Sequence, residues 1–187
     1  METLLTFVDS IQPLSPDIKE YLRNTLKKQH FLKKELILKK GRIATNIYFI
    51  EKGLVRCFYE KNGKEVSSWF MKEGDFIISV DSFFSQKPGN ETIQALEDCS
   101  VYFINYQELM YMYLHYPEFN FIGRVLTEKY YILCEQRLYS LRMQKAKERY
   151  DYLLKSNPEL TQRVAAQYIA SYLGITMETL SRVKKRR

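Results

Sequence analysis

Residues 166–186, AQYIASYLGITMETLSRVKKR, hold the side chains of this 187-residue chain whose types and spacing are most suited to chemistry. Two helices that cross closely need a small residue in the first and a turn residue that tolerates positive φ. Ala170 and Gly174 meet these needs, four positions apart. Ile169, Leu173, Ile175, Leu180 and Val183 fall where a three-helix core needs apolar side chains, and Thr176 is a natural N-cap for the second helix, with Thr179 three positions on. Met177, Glu178, Ser181, Arg182 and Lys185 are then left facing outward, where a DNA major groove could receive them. Such a pair cannot bury its apolar face unaided. A preceding helix from about Gln144 to Lys155, with Tyr152, Leu153 and Leu154, is expected to cover it. The competing interpretation is an ordinary helical hairpin with a basic end.

The charge distribution favours a polyanion partner. From residue 137 onward there are twelve Lys/Arg against four Asp/Glu, a net of +8, whereas the rest of the chain carries 17 basic and 18 acidic groups, a net of −1. The whole excess behind the formal +7 therefore sits in the last quarter, as expected of a nucleic-acid-binding module joined to a neutral regulatory one. On composition alone a solvated basic tail stays open.

Other chemistries lack their residues. Cys57, Cys99 and Cys134 are odd in number and widely spaced, which reads as buried free thiols rather than a disulfide framework or a metal loop. His30 and His115 are the only histidines, too few and too far apart in sequence for a multi-histidine metal site. No nucleophile–base pair, paired-carboxylate site or phosphate loop is evident, so no enzyme is expected. With 45% hydrophobic residues the chain can bury a core, and no window resembles a membrane span or a signal peptide, so a soluble cytoplasmic protein is expected.

The elements that must position the segment follow from periodicity. Short helices are predicted over 2–9 and 15–29, the second opened by Ser15 as N-cap and Pro16 at the first helical position. Between 31 and 105 the apolar residues come in short runs, FLKKELIL, IYFIE, LVRCFYE, EVSSWFM, FIISV, TIQAL and SVYFIN, separated by glycine-containing turns. This pattern predicts a β-sandwich or jelly roll, with Asn62-Gly63 as a type I′ hairpin. Pro117 starts a helical stretch reaching about Lys155, with a break expected at Tyr139–Met143 and an end at Ser156-Asn157-Pro158. Its stripe of Phe119, Ile122, Leu126, Leu133 and Leu141 is wide enough to pack partly on the barrel and partly on a second copy, which predicts a homodimer.

With Gly41, Tyr48 to Gly53, Asn62 to Glu65, Gly74-Asp75-Phe76, the long helix after Pro117 and Met177-Glu178-Thr179-Leu180-Ser181-Arg182, the chain resembles the Crp/Fnr superfamily of bacterial transcription regulators. Its short form ending in KKRR is similar to forms found in Bacteroidetes. The resemblance implies an α+β chain: a cyclic-nucleotide-binding-like β-roll (1–116), a dimerisation helix (117–140) and a small all-α helix-turn-helix domain (141–187). It further implies a homodimer on a pseudo-palindromic operator in double-stranded DNA, with RNA polymerase and an unidentified small-molecule effector as candidate further partners. Glu178 and Arg182 match the family's base-contacting positions, one accepting from a cytosine amine and the other donating twice to guanine. Met177 stands where relatives carry another base-reading Arg. Thr176 and Thr179 match backbone-contacting positions, and Lys184, Lys185 and Arg186 are expected to hold phosphates. Ala165 and Ala166 replace phosphate-binding side chains, and the chain stops at Arg187 with no room for the β-wing many relatives place after this helix.

Ligand-binding members use a Glu for the ribose and an Arg for the cyclic phosphate. Here no arginine lies between Arg56 and Arg124, Ser79 falls about where the Glu belongs, and Lys87 is the only cation of the cassette that begins at Gly74. A lysine on a loop is a poor substitute for a bidentate guanidinium and reads more simply as a solvated residue. Cyclic AMP is therefore not the expected effector. Candidate pocket residues are Ser79, Asp81, Phe83, Lys87, Asn90, Tyr130 and Tyr131. Haem would need one of the histidines, cysteines or methionines as an axial ligand, and no cofactor is assigned. Two functions stay in view: a DNA-binding regulator, and a cyclic-nucleotide or other small-molecule-binding signalling module.

Overall fold

In the computed structural model, which describes residues 1–185, two amphipathic helices open the chain. Helix α1 (Glu2–Ile11) buries Leu4, Leu5 and Val8, and α2 (Pro16–Thr25) buries Ile18 and Leu22. Pro16 takes the first helical position, where its missing N–H costs nothing. The Ser15 hydroxyl donates to the Glu118 carboxylate at 2.6 Å rather than capping the helix. The predicted helix over 15–29 is four residues too long, because Lys27 to Phe31 form strand β1 (Lys27–Phe31), paired antiparallel with residues 99–103.

The strands that follow are β2 (Leu36–Leu38), β3 (Asn46–Lys52), β4 (Val55–Lys61), β5 (Lys64–Met71), β6 (Phe76–Ile77), β7 (Glu91–Ala95) and β8 (Cys99–Asn105). They form two four-stranded sheets, ordered β1-β8-β3-β6 and β2-β7-β4-β5. Asn62 and Gly63, at φ 52° and 72°, make the predicted β4–β5 turn. The run FIISV is strand only at Phe76 and Ile77; helix α3 (Val80–Ser85) begins at its end. A further helix, α4 (Tyr106–His115), is absent from the sequence prediction.

Alternation explains how the first sheet is covered. Ile50 and Val101 are opposite one another in the β3–β8 register and fully buried, while their neighbours Phe49 and Tyr102 turn to the other face. There they join a core with Leu4, Val8, Ile18, Phe83, Met112, Phe119 and Ile122. Phe7 packs on Phe49 and Phe76 with ring centroids 6.1 and 6.0 Å apart.

Helix α5 (Pro117–Met143) is followed by α6 (Ala146–Ser156), α7 (Leu160–Arg163), α8 (Ala166–Leu173) and α9 (Met177–Lys185). The break falls at Gln144-Lys145, just past the predicted Tyr139–Met143, where the Lys145 amide donates to the Glu148 carboxylate at 2.7 Å. Arg149 donates back across it to the carbonyls of Leu141 and Gln144, at 3.2 and 3.0 Å. Phe119 and Ile122, from the stripe expected to pack partly on the barrel and partly on a second copy, are buried within this chain's own core. Phe121, Ile132, Tyr139 and Met143 instead form the exposed stripe of α5, with the half-buried Val125 between them.

The chain packs as two compact units: Met1–Cys57 with Phe70–Glu128, and Phe58–Trp69 with the described residues from Lys129 onward. No helix among the described residues is long and apolar enough to cross a membrane. Cys57 and Cys99 are buried, with burial pushing both thiols up. Cys134 is exposed, contrary to the expectation for all three, because it lies on an outward face of α5.

Candidate nucleic-acid interface

Three helices of the second unit, α6, α8 and α9, pack around Tyr150, Leu153, Leu160, Ile169, Leu173, Leu180 and Val183. Of the residues predicted on α6, Leu153 is buried and Leu154 half-buried. Tyr152 faces solvent, and Tyr150, two positions earlier, does the covering. Ala170 is 3% exposed at the α8–α9 crossing, where a longer side chain would force the helices apart. Gly174 ends α8 in the left-handed conformation at φ 63°, and the Ile175 amide bonds back to the Ala170 carbonyl.

This frame leaves one face of α9 to solvent. Met177, Glu178, Ser181, Arg182, Lys184 and Lys185 are all exposed, while Leu180 and Val183 anchor the opposite face. Arg186 lies outside the described residues. The Thr176 hydroxyl oxygen accepts the Thr179 amide at 3.2 Å, the predicted cap. Arg182 donates through Nη2 to the Thr179 hydroxyl oxygen at 3.1 Å, and the Thr176 hydroxyl donates to that same oxygen at 3.2 Å. The single Thr176 hydroxyl proton, shared between the Thr179 hydroxyl oxygen and the Glu178 carboxylate, holds the Glu178 carboxyl below its ordinary value, with the Arg182 charge adding to the effect. Ala165, at the N-cap of α8, makes no side-chain cap bond.

Sequence reasoning missed how α8 is held. Arg137 of α5 lies over the Tyr172 ring, 3.7 Å from its centroid, and donates to the Tyr172 carbonyl. On α8, Ser171 accepts the Ser67 amide at 2.9 Å and donates to the Glu65 carbonyl at 3.1 Å, satisfying backbone groups of β5. No local pattern around Arg137 or Ser171 signals these contacts, because each joins segments far apart in sequence.

In the first unit the cassette residues separate into two sets. Ser79 and Ser82 are buried beside Gly89, where an added Cβ would stand 2.8 Å from Ser82 Cβ. The Ser82 hydroxyl accepts the Ala44 amide at 2.9 Å and donates to the Lys87 carbonyl at 2.6 Å. Phe83 belongs to the hydrophobic core, edge-on to Tyr106 at 5.4 Å, whereas Asp81, Lys87 and Asn90 are exposed. Tyr130 and Tyr131 lie on the part of α5 in the second unit, half-buried and exposed respectively. A groove of about 500 Å³ beside β1 is lined by Lys28, His30, Glu51 and Cys99 among others and includes none of the candidate pocket residues. The Cys99 thiol in it is already directed at the Leu54 and Glu97 carbonyls, which marks it as a packed side chain.

Residues 28–116 match the cyclic nucleotide-binding domain family. Over 74 residues the chain is 35% identical to the HTH-type transcriptional regulator ArcR of Staphylococcus aureus, an alignment that covers 39% of this chain and 31% of ArcR. The match thus spans about a third of that relative's length. The solved structure of FixK2 from Bradyrhizobium japonicum superposes with a TM-score of 0.75 at 21% identity, covering 87% of this chain and 84% of that one. The c-di-GMP responsive global regulator CLP of Xanthomonas campestris superposes at 0.72 with 18% identity, covering 92% and 91%. Residues 28–116 thus form a domain of the cyclic nucleotide-binding type, and the fold of the chain is similar to that of solved transcription regulators. In this chain the cyclic nucleotide-binding-type domain is followed by the long helix α5 and the helices α6 to α9.

Proposed function

We propose that this protein is a homodimeric DNA-binding transcription regulator whose α9 enters the major groove of a pseudo-palindromic operator. The observation that carries the reading is the solvent-facing side of α9, where a carboxylate, a guanidinium and two ammonium groups stand on a helix whose other side is locked into a three-helix core. Glu178 and Arg182 have the chemistry to read base edges, and Lys184 and Lys185 to hold phosphates. Dimerisation is supported by the apolar stripe on α5, which would set two copies of α9 about 34 Å apart, one helical turn of DNA.

The sensor domain, in this proposal, does not respond to cyclic AMP. Lys87 is exposed on its loop, Gly89 has no room for a side chain, and Ser79 is buried where the family's acid would meet a ribose. The match to the cyclic nucleotide-binding domain favours a second reading, a small-molecule-binding signalling module whose basic end is incidental.

Selection from random duplex DNA separates the two. The regulator reading expects an enriched dyad-symmetric sequence; no enrichment refutes it. On the enriched duplex, Arg182→Ala should cost roughly 1–3 kcal/mol per half-site and relax preference at one base pair. Lys185→Ala should weaken enriched and scrambled duplexes alike and lower the salt slope by about one per subunit. If Arg182→Ala weakened both duplexes equally, it would be a phosphate contact, and the assignment of the reading face would be wrong.

A further inference from the structure

We infer that Thr179 is a positioning residue for Arg182, fixing the guanidinium before DNA arrives; the inference rests on the DNA-binding reading of α9. Four hydrogen-bonding groups connect the start of the helix to its reading face. The Thr179 amide is held by Thr176 Oγ1, the Thr176 hydroxyl donates to Thr179 Oγ1, and that oxygen also accepts Arg182 Nη2 at 3.1 Å. The Thr179 hydroxyl oxygen thus accepts Arg182 while it is itself held in place beside the Thr176 hydroxyl. The Glu178 carboxylate, one turn before Arg182, adds an attractive charge on the same helix.

The physical effect is a reduction in freedom. An exposed arginine samples many rotamers, and closing a bidentate contact to guanine costs the entropy of choosing one. Threonine is β-branched and stiff at χ1, so an acceptor on it is a fixed point where one on serine is not. Only one of the five guanidinium N–H donors is used on Thr179, which leaves enough for a two-bond contact with a base. The family resemblance places Thr179 against the DNA backbone. The hydrogen bonds on α9 give it a different task, to aim Arg182.

The test compares full-length wild type with Thr179→Val, which keeps the shape and removes the acceptor, and with Thr179→Ser, which keeps the acceptor. In the free protein, nitrogen-15 relaxation of the Arg182 Nε–H should show greater mobility in Thr179→Val than in wild type, with Thr179→Ser between them. Equal mobility in all three overturns the inference whether or not DNA is bound. On the duplex enriched by the wild type, Thr179→Val should lower preference over the duplex altered at the Arg182-dependent base pair by about fivefold per half-site, and leave the scrambled duplex unaffected. The same substitution made on Arg182→Ala should then have no effect, since Thr179 acts through Arg182. Persistence of the loss in that background, or equal weakening of all duplexes, assigns Thr179 to the DNA backbone or the helix cap and overturns the inference. A wild type that enriches no duplex refutes the DNA-binding reading itself, whereas a binding wild type with an unchanged Thr179→Val sinks only the positioning role.

Discussion

Replacing Gly174 by alanine tests whether the turn between α8 and α9 depends on a left-handed residue. At φ 63° and ψ 38° an L side chain with a Cβ is disfavoured by about 1–2 kcal/mol. The added methyl would stand 3.4 Å from Leu141 Cδ2, ordinary contact that adds no clash. Alanine also restricts the unfolded chain, which returns about 0.4–1 kcal/mol. The net expectation is a loss of about 1 kcal/mol, which for a chain of this size lowers Tm by about 2–4 °C if it unfolds as one cooperative unit. Asparagine tolerates the left-handed region better, so Gly174→Asn should lose about half as much. Because Gly174 is not among the exposed groups of the α9 reading face, any weakening of DNA binding should be equal on enriched and scrambled duplexes. Circular-dichroism melting of the three proteins, with duplex titrations, is the assay. An alanine variant as stable as wild type, or an asparagine variant no better than alanine, refutes the backbone argument.

A charge placed on the exposed stripe should separate the proposed dimer. Ile132→Glu with Tyr139→Glu is expected to sediment at 22.4 kDa where wild type runs near twice that, and a wild-type monomer that still binds a palindrome would refute the α5 interface. Calorimetry with cyclic AMP or cyclic GMP should show no saturable heat at micromolar ligand, and micromolar affinity would overturn the argument from Gly89, Ser79 and Lys87. In the first unit Lys28, with help from Ser100 and Tyr102, holds the Glu51 carboxyl at about 2, below its usual 4.5. The contribution of the Lys28–Glu51 pair is therefore fully present above pH 4.5 and lost as pH falls through about 2. Lys28 is 43% exposed, so solvent screening keeps that contribution small. Glu51→Gln should accordingly melt slightly below wild type at pH 7 and converge with it toward pH 2; a gap that widens on acidification contradicts the assignment.

The helix-turn-helix was legible because its constraints are local and chemical. A small residue, a glycine and five apolar positions at fixed spacing leave few other folds, and four of those five, Ile169, Leu173, Leu180 and Val183, are buried with Ile175 half-buried. The Asn62-Gly63 hairpin was legible for the same reason, since both residues accept positive φ. Strand β1 was not, because KKQHF has no apolar alternation and is a strand through its pairing with β8. Helix α4 was missed although Asn105 and Glu108 form a capping box readable from their spacing. The stripe on α5 was legible but not its division: periodicity marks Phe119 and Ile122 as apolar and in line, but only tertiary packing shows that these two belong to the part that packs on this chain's own core. The cassette was half legible, its missing arginine plain in the sequence and the crowding at Gly89 visible only in three dimensions.

The joint between α5 and α6 is splinted. Arg149 grips the carbonyls of Leu141 and Gln144, and the Lys145 amide is tied to Glu148, so the chain there cannot swivel without first surrendering charge-assisted bonds. A splinted joint behaves as a bent rod. Torsion of the C-terminal half of α5 carries α6 with it, and with α6 travel α8 and α9, which are packed on it as one block. In the proposed dimer, the spacing between the two copies of α9 would be set by how far each α5 is twisted about its own axis.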